Sequence, residues 1–271
     1  MLFVQSWQPE NPPRAVVLIQ HGFCEHGGRY THVANRFVSN GNAVYVMDLR
    51  GHGRSHGKRA YVDRFEQHVD DFQLFAQYVQ LKHPNLPLFV IAHSMGGAVA
   101  LLWTLTCKPN IAGLILSGAA LVIAIKVPGW LMAISGLVSR FLPHVPTLRL
   151  ADPGILSQDK KVLDDRATDP LVYRNRVPAR GGAEVMRGAS LVHRQLENIV
   201  CPLLILHGRS DALIDPIGSQ HLYDCAQSTD KTVIFYDNQR HEILNEPDQD
   251  RVMNDICTWI DQRCPQKEAT A

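Results

Sequence analysis

A serine flanked by small residues lies in the segment VIAHSMGGA, residues 90–98. Ser94 follows an apolar run directly and precedes MGGAVALLWTL, which is rich in helix-forming residues. At a tight turn from strand to helix, a serine hydroxyl is pushed out of the backbone path, and the helix N-terminus favours negative charge beside it. Ser94 is therefore a candidate nucleophile, and the alternative is an ordinary serine in a turn.

The motif around Ser94 departs from the usual G-x-S-x-G pattern, because Ala92 stands where the pattern has its first glycine. Strand and helix approach closely at such a turn, and Ala92 and Gly96 are both small enough to permit this approach. Glycine at position 92 would also allow backbone angles that alanine resists. We expect the turn to tolerate alanine, whereas valine at this position would displace Ser94.

A serine hydroxyl is a weak nucleophile unless a histidine removes its proton and an acid orients the histidine. The 13 histidines are too many to separate by residue type, so we use the chain order Ser, acid, His that is typical of one class of α/β enzymes. Asp211 follows the apolar run PLLILHG, and His241 follows KTVIFYD. Parallel sheets place their sites at such strand ends. Asp215 is an alternative acid, and His241 could instead be a solvated loop residue.

Stabilising the oxyanion of an acyl-transfer reaction requires two backbone N–H groups. The residue after the serine, Met95, would supply the first. The segment HGFC, residues 21–24, would supply the second from Phe23, because Gly22 allows a tight turn there. The neighbouring Cys24, Glu25 and His26 match no zinc-site spacing, so we expect no metal or other cofactor.

Short apolar runs rich in β-branched residues alternate with helical patterns along the chain. This alternation predicts a mainly parallel sheet covered by helices on both faces. Apolar residues repeat at helical spacing within residues 30–38, 65–79 and 252–260. The predicted strands are RAVVLIQ (14–20), NAVYVMDL (42–49), PLFVIA (87–92), IAGLILS (111–117), PLLILHG (202–208) and KTVIFYD (231–237).

The alternation fails in residues 121–198, where no clear strand is present and prolines and glycines interrupt short helical pieces. Such a stretch between two strands predicts an inserted, mostly helical cap. The α/β core would then comprise residues 1–120 and 199–271. A strongly apolar cap helix, packed on the core or facing substrate or membrane, is predicted to contain Val127, Trp130, Leu131, Ile134, Leu137, Val138 and Phe141.

The composition excludes several classes of protein. With 271 residues and 45% hydrophobic content, the chain can form one large α/β domain. Lys and Arg total 27 against 26 acidic residues, so nothing indicates nucleic-acid binding. The six cysteines form no C-x-x-C pair, which indicates thiols in a reducing compartment.

One long apolar stretch, residues 112–142, requires a test for a membrane span. Lys126 and the pair Pro128-Gly129 divide it into segments shorter than the roughly 20 residues that a spanning helix needs. The N-terminus MLFVQSWQPENPP lacks the basic start and the apolar length of a signal peptide. We expect a cytoplasmic protein whose cap could contact membranes peripherally, and the oligomeric state is left open.

Five motifs, in this order, resemble those of the monoacylglycerol lipase, or lysophospholipase-like, branch of the serine α/β-hydrolases. The resemblance extends over nearly the whole chain, although the N-terminus begins inside the family's first hairpin. The motifs are HGFCEHGGRY (21–30), DLRGHGRSHGKR (48–59), HSMGG (93–97), the dipeptide SD (210–211) and HEILNEP (241–247).

The resemblance implies an α/β-hydrolase fold in which Ser94, Asp211 and His241 form the catalytic triad. It further implies that the N–H groups of Phe23 and Met95 form the oxyanion hole. Glu25 and Arg29 would line the polar end of the pocket, which would take a glycerol head group, and the cap would form an apolar tunnel for an acyl chain. These roles predict a lipid-like ester substrate.

The expected reaction is hydrolysis of a monoacylglycerol to fatty acid and glycerol through an acyl-enzyme. A lysophospholipase and a broad short-chain carboxylesterase would use the same residues, so both remain alternatives. A hydrolase-fold protein that binds an acyl ligand without turnover is a further alternative. An aspartate-nucleophile hydrolase is disfavoured, because the turn carries serine.

Overall fold

A computed structural model of the chain describes residues 1–124, 137–147 and 153–264. Within these ranges the strands are β1 (Val4–Trp7), β2 (Ala15–Gln20), β3 (Asn42–Met47), β4 (Leu88–His93), β5 (Gly113–Ser117), β6 (Leu203–Gly208) and β7 (Lys231–Tyr236). They form one seven-stranded sheet in the order β1-β3-β2-β4-β5-β6-β7. β1 runs antiparallel to β3, and the other neighbouring pairs are parallel.

The central strands are buried over their whole length. Every residue of β2, β3, β4, β5 and β6 is buried, whereas β7 at the edge is only half-buried. Continuous apolar runs are typical of parallel strands that are covered on both faces. The predicted α/β fold is confirmed, and all six predicted runs are strands. The sequence reading missed β1, because its four residues VQSW are too short and too polar to stand out.

Helices cover both faces of the sheet. Val33 and Phe37 of the first helix and Ile256 of the last pack on one face. Phe72 and Leu101, from the second and third helices, pack on the other. The helices described at both ends are α1 (Thr31–Ser39), α2 (Glu66–Lys82), α3 (Met95–Cys107), α4 (Lys160–Thr168), α5 (Ala179–His193), α6 (Ile217–Cys225) and α7 (Gln249–Asp261). Residues 137–141 are helical as well.

The stretch between β5 and β6 contains α4 and α5 in its described part. Helix α5 packs closely on the core at Gly188, where an added Cβ would lie 2.6 Å from ring carbons of Phe65. The division into a core and a cap over residues 121–198 stays a prediction. Of the predicted apolar cap helix, Val127, Trp130, Leu131 and Ile134 lie outside the described residues.

Two observations concern the expected environment of the protein. In the described ranges, no helix has both the length and the apolar character that crossing a membrane requires. All six cysteines lie in these ranges, and all six are free thiols.

Candidate active site

The turn between β4 and α3 places Ser94 in a strained backbone conformation. Its φ of 54° and ψ of −122° are unusual for a residue with a side chain. The helix begins at Met95 directly after it, and an added Cβ on Gly96 would lie 2.4 Å from the His21 carbonyl oxygen. Strand and helix therefore approach each other too closely for any residue larger than glycine at position 96.

The hydroxyl of Ser94 meets the side chain of His241. The Ser94 Oγ lies 2.9 Å from His241 Nε2, and His241 Nδ1 lies 2.7 Å from Asp211 Oδ2. The structure thus brings together the three residues of the predicted triad in one hydrogen-bonded line. Asp215, the alternative acid, instead accepts from the Ile217 N–H at 3.0 Å.

The electrostatics of this line suit a histidine base. Burial opposes the charged imidazolium, but the Asp211 carboxylate and its hydrogen bond outweigh burial and raise the pKa of His241. Burial likewise opposes the Asp211 carboxylate, but the charge of His241 and the hydrogen bonds from His207 and His241 hold the pKa of Asp211 well below the usual range. Asp211 therefore stays ionised and His241 gains proton affinity, as general-base catalysis requires.

The loop after β2 lies against the serine. A Cβ on Gly22 would be 3.0 Å from Ser94 Cβ, so the next residue, Phe23, is close to the nucleophile. Within the described part of the chain, neither the Phe23 N–H nor the Met95 N–H donates to a protein acceptor. The Met95 N–H is an unpaired donor of the first turn of α3, as is normal at a helix start. Both groups are available to an oxyanion.

Glu25 and Arg29 belong to a buried cluster of charges behind this loop. Glu25 Oε1 accepts from the Gly22 N–H at 2.6 Å and from the Tyr30 hydroxyl at 2.8 Å, and Oε2 accepts from Arg29. Arg29 also donates to Glu242 Oε2 at 2.6 Å. The cluster therefore connects the predicted oxyanion loop to the residue that follows His241.

The charges of this cluster stabilise one another. Burial would neutralise Glu25 and Glu242, but the Arg29 guanidinium lowers the pKa of both carboxyl groups. The two carboxylates in turn raise the pKa of Arg29 despite its burial. The predicted contact of Glu25 and Arg29 with a head group stays a prediction.

Sequence reasoning missed the partners of these residues. Glu242 directly follows His241 but was not predicted to belong to the site. Arg166 was not predicted either, because its contact with Glu242 at 3.5 Å spans 76 positions. Buried charges need partners, so the charged residues next to a predicted base were the available signal.

Two buried histidines were also missed. The ring of His93 lies 4.7 Å from that of His241, and burial together with His241 lowers its pKa to about 4. His207 Nε2 lies 3.1 Å from Asp211 Oδ2. Both precede a predicted site residue closely in the sequence, by one position and by four.

The residues considered for a metal site have other partners. Burial raises the pKa of the Cys24 thiol well above its usual range, and His26 Nε2 pairs with Asp169 at 2.7 Å. Within the described ranges, no group of three or more His, Cys, Asp or Glu side chains is arranged to hold a metal ion.

Comparison with known proteins relates the chain to hydrolases. The family described as serine aminopeptidase, S33, matches residues 11–248. The monoacylglycerol lipase of Mycolicibacterium smegmatis is 35% identical over 254 residues, which cover 94% of this chain and 90% of that protein. The human monoglyceride lipase is 32% identical over 267 residues, which cover 97% of this chain and 87% of that protein.

A solved structure gives the same relation. The monoacylglycerol lipase of Paleococcus ferrophilus superposes with a TM-score of 0.88 at 27% identity, covering 97% of this chain and 99% of that one.

Proposed function

The chain belongs to the hydrolase family described as serine aminopeptidase, S33, and from this premise we propose that it is a serine hydrolase that cleaves monoacylglycerols to fatty acid and glycerol. The observation that carries the proposal is the hydrogen-bonded line from Ser94 through His241 to Asp211. The names of the two relatives, monoacylglycerol lipase and monoglyceride lipase, support the choice of substrate.

In the first half of the reaction, His241 Nε2 takes the proton of Ser94 Oγ as this oxygen attacks the ester carbonyl carbon. The carbonyl oxygen becomes an oxyanion, which accepts from the N–H groups of Phe23 and Met95. The His241 imidazolium then gives its proton to the glycerol oxygen as the bond between carbon and oxygen breaks. Glycerol leaves, and the acyl group remains on Ser94.

In the second half, water replaces glycerol. His241 takes a proton from water as its oxygen attacks the acyl carbon, and the same N–H groups hold the oxyanion. The bond to Ser94 Oγ breaks, and His241 returns the proton to that oxygen. The fatty acid leaves, and the enzyme regains its starting protonation state.

The polar head group would bind near Glu25 and Arg29. This stays the role predicted for them. Arg29 also lines an open groove of about 730 Å³ together with His26, Arg166, Asn245 and other polar residues, but neither Ser94 nor His241 lines that groove, so it is separate from the catalytic line. Because Arg29 also holds Glu242, its replacement would disturb both binding and the catalytic loop.

The described part of the cap supports contact with a lipid surface. The side chains of Leu137, Phe141 and Leu142 are 60%, 70% and 56% exposed, and Arg140 lies among them. Exposed apolar residues beside a cation are typical of peripheral membrane contact. We expect Phe141→Glu to reduce sedimentation with anionic phospholipid vesicles while leaving hydrolysis of a water-soluble short ester unchanged.

The assignment of the nucleophile is tested by labelling and turnover. A fluorophosphonate probe should label the wild-type protein, and Ser94→Ala should abolish labelling and reduce ester hydrolysis to near background. The exposed Ser39, replaced by alanine, is the matched control and should change neither result. Unlabelled wild-type protein would instead favour the acyl-binding alternative without turnover.

The substrate class is tested by a panel of esters. We expect the highest kcat/KM on monoacylglycerols, compared with lysophospholipids, triacylglycerols and short p-nitrophenyl esters. A preference for lysophospholipids would make the protein a lysophospholipase, and a preference for the short esters would make it a carboxylesterase. Either result would leave the roles of Ser94, Asp211 and His241 intact.

A further inference from the structure

The carboxylate of Asp211 receives four hydrogen bonds. Its Oδ1 accepts from the N–H groups of Leu213 and Ile214, both at 2.9 Å. Its Oδ2 accepts from His241 Nδ1 at 2.7 Å and lies 3.1 Å from His207 Nε2. A carboxylate offers about four lone-pair positions, so every one is used. Two histidines therefore share the oxygen that orients the catalytic base.

The surroundings of His207 determine which of its nitrogens carries a proton. Its Nε2 faces two acceptors, the Asp211 carboxylate and the Ile214 carbonyl oxygen at 3.2 Å, so this nitrogen must be a donor. Its Nδ1 lies 2.7 Å from the hydroxyl of Ser219. In the neutral ring, Nδ1 accepts from that hydroxyl, and Ser219 thereby keeps the proton on Nε2.

Burial makes this arrangement specific. The side chains of His207 and Asp211 have no exposed area, and Ser219 is 1% exposed. A buried histidine and a buried carboxylate both require partners, because an unpaired polar group in the interior is costly. The backbone of His207 is held in the buried strand β6, and its ring is held by the hydrogen bonds to Asp211, Ile214 and Ser219.

We propose that His207 is a positioning residue for the reaction: by donating to Asp211 Oδ2, it fixes the carboxylate and moderates the negative charge that His241 meets. The inference rests on the proposed function, because it assigns His241 the part of the base. The hydrogen bonds of the His207 ring run to Asp211, Ile214 and Ser219 and not to Ser94, so His207 acts through Asp211.

The groups around His241 explain why it would be useful to moderate the negative charge of Asp211. Burial lowers the pKa of His241, whereas Asp211, Glu242 and Glu25 all raise it, and the net effect is a raised pKa. A general base works best when its pKa is near the working pH. A donor to Asp211 Oδ2 therefore limits how far the carboxylates raise the pKa of His241.

The test compares variants of His207 that remove or keep the donor. His207→Leu removes the N–H, whereas His207→Gln keeps an amide N–H in a side chain of similar reach. We expect His207→Leu to move the acid limb of the kcat/KM profile up by about half a pH unit, because the carboxylate loses a competing donor. Its kcat should fall about tenfold through loss of orientation. His207→Gln should leave the acid limb at its wild-type position.

A purely structural role predicts a different result. Tyr236→Phe is the matched control, because it removes a partly buried hydrogen bond, to Asp255, from the neighbouring strand. It should lower the melting temperature and leave the acid limb unchanged. If His207→Leu lowers the melting temperature with no shift of the acid limb, or if Tyr236→Phe shifts the limb equally, the proposal is wrong.

Two further measurements cover the remaining outcomes. If His207→Leu fails to fold, Ser219→Ala replaces it and should give a smaller shift in the same direction, since the ring can then move its proton to Nδ1. A titration of ¹⁵N-labelled histidines by NMR, with the His241 signal identified from His241→Gln, reads the pKa of His241 without turnover. It separates the proposal from the proposed function, because it gives a result even if no ester is hydrolysed.

Discussion

Ser94 and His241 are held in place by two different kinds of structure. Ser94 joins a strand to a helix, and its own peptide groups are fixed: its N–H donates to the Ser117 carbonyl at 3.0 Å, and its carbonyl accepts from the Ala120 N–H at 3.0 Å. His241 lies in residues 237–248, which contain neither helix nor strand. The nucleophile is thus positioned by a strand-to-helix turn, whereas the base lies in a loop without regular secondary structure.

Contacts from the predicted cap hold residues 237–248, the histidine loop. The Glu242 N–H donates to the Leu156 carbonyl at 2.9 Å, and the Gln158 N–H donates to Glu246 Oε1 at 2.9 Å. Arg240 donates to the Ser157 carbonyl at 3.1 Å. These contacts join residues that are more than 80 positions apart in the chain. The contact of Arg240 spans 83 positions, and that of Gln158 spans 88.

The difference teaches that the site has two arms, Ser94 with its strand-to-helix turn and His241 with its loop, and that these arms respond to different changes. A rearrangement of residues 156–158 would reach Arg240 and Glu242, the neighbours of His241, through direct hydrogen bonds, whereas the peptide groups of Ser94 are bonded to Ser117 and Ala120. Changes in the cap should therefore alter the base before they alter the nucleophile. Substitutions can test each arm separately.

The largest effect is expected from cutting the link between acid and base. Asp211→Asn should lower kcat about 10⁴-fold, because the amide cannot hold His241 in the required tautomer. The measurement is kcat on a short p-nitrophenyl ester. Asp215→Asn is the matched control and should retain wild-type turnover, because Asp215 accepts from Ile217 and not from His241. An equal loss in both variants would contradict the assignment of the acid.

A smaller effect is expected from disturbing the elbow, which is the turn from β4 to α3 that carries Ser94. Ala92 is fully buried on β4, two residues before Ser94, so Ala92→Val should displace the hydroxyl and lower kcat about a hundredfold. Ala15→Val, in a fully buried position of β2, adds the same two methyl groups away from the site. This control should cost about 1–3 kcal/mol of stability through overpacking but leave the turnover of folded protein unchanged. Unchanged kcat in Ala92→Val would show that the turn has room to spare.

The contrast between the arms also explains what the sequence could predict. Ser94 was identified because a strand, a turn and a helix leave a local pattern of apolar and small residues. The six longer strands were predicted for the same reason, whereas the short and polar β1 left no such pattern. Local periodicity was sufficient for most of the fold.

The contacts of the histidine loop could not be predicted in this way. Arg166 and Gln158 reach Glu242 and Glu246 across 76 and 88 positions, and no local pattern encodes such pairs. His207 donates to Asp211 only because the turn after β6 folds back on the strand. Chain order gave Asp211 and His241, but their supporting partners depend on the tertiary structure.

Loosening the histidine loop from the cap should have a moderate effect. Arg240→Met removes the hydrogen bonds to the Gly154 and Ser157 carbonyls. Since hydrogen bonds from a charged donor contribute about 1.5–3 kcal/mol, we expect a clear loss of stability, with a kcat about tenfold lower. Thermal unfolding and kcat measure the two effects.

The matched control is an exposed arginine near the same loop. Arg209 is 59% exposed and pairs with the exposed Asp237, so Arg209→Met should change neither the melting temperature nor kcat measurably. If Arg240→Met reduced labelling of Ser94 by a fluorophosphonate through a misplaced serine, visible as a changed elbow in a crystal structure, the two arms would not be independent.

The smallest effect concerns the stability of the protein at acid pH, which should also distinguish the arm of Ser94 from the arm of His241. Arg29 lowers the pKa of Glu25 and Glu242 below their ordinary value of 4.5 in the folded protein. A lowered folded-state pKa contributes stability above pH 4.5, and this contribution is lost as the pH falls further towards the folded-state pKa. The free energy of unfolding should therefore decrease on acidification, by about 1 kcal/mol for each unit by which a pKa is lowered.

Removing one of these carboxylates should weaken the pH dependence. Glu242→Gln should be less stable than wild type at pH 7, because Arg29 loses a partner, but its unfolding free energy should fall less steeply between pH 5 and pH 3, as measured by urea denaturation. Asp237→Asn, which removes an 81% exposed carboxylate, should keep the wild-type slope. If Glu242→Gln also kept that slope, acid would act elsewhere, and the buried charges would not be what distinguishes the histidine loop from the elbow.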